Sequence, residues 1–230
     1  MLTYLFFCLL SLPLVNSQSH LASTTSSSLM QLEWLPLPPF LSKLVFLRKS
    51  KESHFVETEL TASRYLGAAP LLKSPAILTT AGEILTVEAR HQTFIRAASN
   101  IIAIPSALDT PLGIRSVFSL AAPFITSCPD GSNLKITPFA AVTASGDAKA
   151  AALPGGKVQL KTAAAGGTFC AFTNGGQVGG TAFTPFTDGA CTTPPGLAGA
   201  TYVHITSSNP PTGVLTDDIT VAGPMFMAIS

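Results

Sequence analysis

Glu88-Ala89-Arg90-His91 is the constellation in this chain whose residue types and spacing suit chemistry. A carboxylate and an imidazole three residues apart on a helix point to the same side. Both fall on a stripe, Ile77, Ala81, Ile84, Glu88, His91 and Ile95, whose spacing alternates between four and three residues. Such a stripe faces a core. A carboxylate or imidazole buried there without partners costs several kcal/mol or changes its protonation. A metal ion is one way to satisfy both groups. Glu-x-x-His motifs on facing helices, joined by further glutamates, form the di-iron and di-manganese carboxylate sites of helical bundles. Glu59 lies on the inner stripe of the preceding helical segment, so Glu88, His91 and Glu59 are the metal-ligand candidates, with iron or manganese as the ion. An ordinary buried Glu–His or Glu–Arg contact accounts for the same residues, because Glu-x-x-His also arises by chance in many helices. Arg90 and Arg96 read as solvated or paired with Glu83. His20, His54 and His204 suggest no site, His204 alternating outward in a strand. No catalytic residue is assigned.

The elements that position these residues are legible from periodicity. Phe55, Glu59, Ala62, Leu66 and Ala69 form one helical face, closed by Gly67 and Pro70. Ser74 then serves as an N-cap with Pro75 at the first helical position, predicting a helix over 75–100. Asp109 or Thr110 is placed to cap a third helix with Pro111 in its first turn, Ile114, Val117, Phe118 and Ala121 on its apolar face, and Pro123 as its stop. Residues 128–133, CPDGSN, read as a loop. After Leu134 the chain turns rich in Thr, Val, Gly and Phe. Seven short runs, 136–143, 158–162, 168–172, 182–186, 201–205, 218–221 and 225–229, predict strands of a β-sandwich.

Charged residues are 11% of the 230 and the formal net charge is +1, against about a quarter charged in ordinary domains. Nothing in that balance marks a nucleic-acid partner. The apolar run from Leu2 to Val15, with Val15 and Ser17 at the −3 and −1 places, reads as a signal peptide over 1–17 cleaved before Gln18; an uncleaved anchor or a misassigned start is the competing reading, since the first residues carry no Lys or Arg. With the leader removed no membrane association is expected. Residues 18–54 form a linker, Ser/Thr-rich at first and then apolar but broken by Pro36, Pro38 and Pro39. Of the four cysteines, Cys8 leaves with the leader, Cys170 and Cys191 share the β-rich tail and are the expected disulfide, and Cys128 is left over.

Several motifs in fixed order carry a family resemblance: Tyr65-Leu-Gly-Ala-Ala-Pro70, Ile84-Leu-Thr-Val-Glu-Ala-Arg-His-Gln92, Asp109-Thr-Pro-Leu112 and Ser119-Leu-Ala-Ala-Pro-Phe124. Thr168-Phe-Cys-Ala-Phe172, Gly196-Leu-Ala-Gly199 and Thr220-Val-Ala-Gly-Pro224 continue the pattern. Residues 63–230 resemble the fungal ferritin-like proteins of the stress-response and desiccation-related type. The resemblance implies an α+β chain: a partial ferritin-like helical bundle over 55–127, followed by a small all-β, sandwich-like domain over 134–230. It also implies two further helices upstream, carrying a first-half glutamate and a second Glu-x-x-His-like motif; residues 18–54 contain no Glu-x-x-His and show no helix pair to carry that glutamate. Cys128 is then a cysteine whose partner belongs to that upstream part.

Two functional classes follow. One is a secreted, extracellular or cell-wall protein without enzymatic activity, acting in stress or wall biology, with an incomplete metal site. The other is a di-iron or di-manganese carboxylate protein, an oxidase or iron handler, completed by dimerisation or by missing exons. Two long apolar stripes with little to cover them predict an under-packed flank on the 75–100 helix, which would take a second copy of the chain or another protein partner. Carbohydrate binding by the tail fits poorly, with one Tyr and no Trp after residue 134, though Phe183 and Phe186 are placed for a patch.

Overall fold

A computed structural model describes residues 51–125, 136–146 and 153–229, with side chains from Leu60 onward apart from Phe124. The leader, Cys8, Cys128, the 128–133 loop and most of the 18–54 linker lie outside the described residues. Three helices precede seven strands: α1 (Lys51–Ala68), α2 (Pro75–Ala98), α3 (Ile114–Ala121), β1 (Val142–Ser145), β2 (Lys157–Thr162), β3 (Phe169–Asn174), β4 (Thr181–Pro185), β5 (Ala190–Thr192), β6 (Gly199–Thr206) and β7 (Thr220–Ile229). The architecture is α+β, as the residues predict.

The punctuation of the helices is local chemistry. Ser74 Oγ accepts the Ile77 N–H at 3.5 Å and Pro75 opens α2, so two of the unpaired donors at the helix start are capped or absent. α1 runs through Gly67 and gives way to a 3-10 turn, Ala69–Leu71, which contains Pro70. Gly67 has a tertiary reason to be glycine: a Cβ there would overlap the Leu112 carbonyl, and the Leu112 N–H donates to the Ser63 carbonyl at 3.1 Å. The segment leading into α3 is thus laid directly on α1. The expected cap of α3 is different. Gly113 stands at its N-cap, while the Thr110 hydroxyl donates to the Ala200 carbonyl at 2.7 Å and accepts the Gly175 N–H at 2.8 Å. Thr110 caps nothing because it is spent on tying the chain to the sheet.

The strands form two antiparallel sheets, one of order β1-β2-β5 and one of order β4-β3-β6-β7. Between them lies a core that includes Val158, Leu160, Phe172, Val203, Ile205 and Met227. The outer face of the four-stranded sheet carries the helices: Tyr202 joins Leu112 and Val117 in a second buried cluster, with Leu60, Leu120 and Phe226 around it. β6 is therefore covered on both faces. Val203 and Ile205 point to the inter-sheet core, Tyr202 and His204 to the helices, and residues 201–206 are all buried.

Three strand expectations shift for identifiable reasons. The two runs at 218–221 and 225–229 are one strand, because Gly223 and Pro224 sit in a β-bulge and not in a turn. Val203 pairs Met225 and Ile205 pairs Ala222, so β7 carries one extra residue opposite His204. A bulge is a place within a sheet where Pro is tolerated. Gly223 has φ 116, and a Cβ on it would come within 3.0 Å of the His204 Cα. β1 starts late because residues 137–139 bond to α3: Arg115 Nε donates to the Thr137 carbonyl at 2.9 Å and Ser119 Oγ accepts the Phe139 N–H at 2.9 Å. β5 is too short to show alternation and exists through its pairing with β2. Phe186, half of the suggested surface patch, packs against the inter-sheet core.

Cys170 on β3 and Cys191 on β5 are disulfide-bonded, with Cα atoms 6.2 Å apart and a sequence separation of 21. The bond joins the two sheets through their shared core. Closing a loop of this length stabilises the folded state by about 3 kcal/mol through the entropy it removes from the unfolded chain. Urea unfolding with and without reductant is expected to show a loss of that size. An unchanged midpoint on reduction would show that the inter-sheet core holds without the bond.

Candidate functional site

α2 brings two of the three candidate ligands together. His91 Nδ1 lies 3.4 Å from Glu88 Oε2, and the two side chains are 63% and 29% exposed. Glu59 lies on α1, and its side chain is outside the described residues. The stripe that carries Glu88 and His91 is half-covered, not buried: Ala81, Ile84, Glu88 and Ile95 are intermediate, Ile77 and His91 exposed. Among the described residues α2 packs mainly on α1, and a helix with one neighbour has one side covered. An open contact at this distance is a weak one. A di-metal carboxylate centre takes about four carboxylates and two histidines from four helices. Among the described residues no three of His, Cys, Asp and Glu come close enough to share an ion. One carboxylate and one imidazole do not by themselves fit a di-metal group.

Arg96, expected to be solvated or paired with Glu83, is 2% exposed. It sits in the last turn of α2, where a cation complements the helix dipole, and its Nε donates to the Ile102 carbonyl at 2.7 Å. The guanidinium thereby folds residues 99–108 back over the helix end. A cleft of about 220 Å³ opens there, lined among others by Gln92, Arg96, Ser106, Asp109 and Thr110.

A buried polar arrangement lies at the helix–sheet junction, where the residue types alone suggested nothing. Tyr202 Oη and Ser63 Oγ lie 2.9 Å apart, both buried. His204 Nε2 lies 3.0 Å from Ser116 Oγ, again both buried. His204 does point outward from the sandwich, but α3 covers it. Its Nδ1 has no hydrogen-bonding partner. Burial pushes its pKa from 6.5 down to about 3, with the nearby backbone of Tyr202 and Ala171 acting more weakly the other way. The imidazole is therefore neutral in the folded protein at ordinary pH. The sequence does hold a signal: apart from His204, β6, Gly199–Thr206, has only apolar or hydroxyl-bearing residues on both alternations, with no Asp, Glu, Lys or Arg, which is how a strand buried on both faces reads.

The buried imidazole makes the stability of the junction depend on pH. Unfolded, His204 takes up a proton near 6.5; folded, near 3. Between those values the unfolded state binds more protons, so the stability is complete above the unfolded value and falls as the pH is lowered. The slope from this one group is at most about 1.4 kcal/mol per pH unit. The urea midpoint is expected to drop between about pH 6.5 and about pH 5, above the carboxylate range. His204→Gln should flatten that drop. Equal slopes for the two proteins would mean that His204 is hydrated in the folded state.

Beside this geometry stand the relationships of the sequence. No curated protein matches the chain. Residues 34–100 match the family of ferritin-like domains, a stretch that takes in α1, α2 and Glu88–His91 and ends before α3 and the sheets.

Proposed function

We propose that this chain is a secreted, non-enzymatic protein of stress or cell-wall biology, and that its helical region holds an incomplete carboxylate–histidine site. The observation that carries this reading is the Glu88–His91 pair. It lies inside the ferritin-like stretch, yet the two groups contact each other at 3.4 Å on an open face. Secretion draws support from the Leu2–Val15 run and from the Cys170–Cys191 disulfide, a bond that persists in oxidising compartments. The resemblance to fungal stress-response and desiccation-related proteins supplies the biological setting.

The second reading is a di-iron or di-manganese carboxylate protein, an oxidase or iron handler. The Glu-x-x-His spacing at 88–91 favours it, and there Glu88 and His91 would hold an ion, with Glu59 as a third candidate. Such an ion supplies redox chemistry, and the chain's own residues would bind and orient it.

Metal analysis separates the two. The full chain, incubated with Fe(II) or Mn(II) and desalted, is expected to retain well under one equivalent, with no difference for Glu88→Ala. Retention of one or more equivalents per chain, lost in both Glu88→Ala and His91→Ala, would overturn the first reading in favour of the second.

A further inference from the structure

The face of α2 turned away from α1 carries Ala76, Thr80, Glu83, Val87, Arg90 and Phe94, at alternating spacings of four and three residues, and Ala98 four residues further on. Every one is exposed, Val87 at 39% and Phe94 at 72%. This is the spacing of a helix seam that takes a partner helix. No sheet or helix among the described residues covers it.

The seam is complementary to itself. Read outward from Val87 in both directions, it places Thr80 against Phe94, Ala76 against Ala98, and Glu83 against Arg90 and His91. Small residues stand where large ones would enter, and an acid stands where a base would. Those matches are made only if a second identical helix crosses antiparallel with Val87 on Val87. A two-fold axis produces that arrangement, and each contact then occurs twice.

We propose that α2 pairs with α2 of a second copy of this chain, antiparallel, about a two-fold axis at Val87. Phe94 of each copy packs over Thr80 of the other, and Glu83 of each meets Arg90 and His91 of the other. A helix of 24 residues is about 36 Å long, so one crossing makes a small interface and the dimer exchanges with monomer. The pairing uses the outer face of α2 and does not rest on metal at Glu88 or on the proposed function.

Sedimentation equilibrium of the full chain over a wide concentration range tests this. A reversible monomer–dimer equilibrium is expected. Glu83→Arg and Arg90→Glu should each weaken it about tenfold or more, because each sets like charges face to face. The double variant, which swaps the charges, should restore it. Phe94→Ala should also weaken it, and circular dichroism of these exposed-site variants should match the parent. A chain that stays monomeric at all concentrations overturns the proposal. So does an association indifferent to the single reversals, or one that the double swap fails to restore.

Discussion

The double-sided burial of β6 is the constraint on which the described structure depends. One face of the strand must fill the space between two sheets and the other must receive helices. Val203 and Ile205 serve the first, Tyr202 and His204 the second. A strand covered on both sides loses its water, so its polar groups call for partners, and His204 Nδ1 is the buried side-chain atom of this strand that goes without one. Ser63 and Ser116 supply two, one from α1 and one from α3. Thr110 supplies a third tie, to Ala200. The helices are thereby fixed to the sheet by hydrogen bonds whose loss would leave buried groups unsatisfied, which is the costly direction.

The same strand explains features that look unrelated. The bulge at Gly223 and Pro224 returns Met225, Met227 and Ile229 to the inner face after Ala222. It also clears room beside His204, which a Cβ at 223 would crowd. Gly67 lets the Thr110–Leu112 segment lie on α1, which is what carries α3 onto the sheet. The disulfide then holds the far sheet to β3, the neighbour of β6. Layer by layer, the molecule is assembled outward from one eight-residue strand.

α2 stands apart from that logic. It carries the Glu88–His91 pair and part of the ferritin-like match, yet among the described residues its helix contacts are made through one side. Apolar residues on its other side, Phe94 above all, are what a helix with two partners has. The chemistry of the helical region and the cohesion of the fold therefore reside in different elements. This separates the effects of substitutions: changes at Ser63, Ser116 or His204 are expected to bear on stability, and changes on the outer face of α2 only on the pairing proposed above.

Much of the local structure was legible in the residues. Ser74 and Pro75 mark the start of α2, Thr- and Val-rich runs mark most strands, and Cys170 and Cys191 pair as their place in the tail suggests. Each of these is decided within a few residues by capping, period or composition. Residues 34–54 read as an irregular linker because three prolines break their period, although the ferritin-like match begins at residue 34. Other features needed the third dimension. His204 shows as an ordinary outward residue until α3 is placed over it. Arg96 reads as solvated or paired with Glu83 until the Ile102 carbonyl comes back to its guanidinium. Thr110 has the look of a cap until the Gly175 and Ala200 backbone groups arrive from more than sixty residues away. Periodicity tells which way a side chain points relative to its own element. What covers that side is set by packing between segments distant in the chain, and on that covering depend the burial, protonation and bonding of these groups.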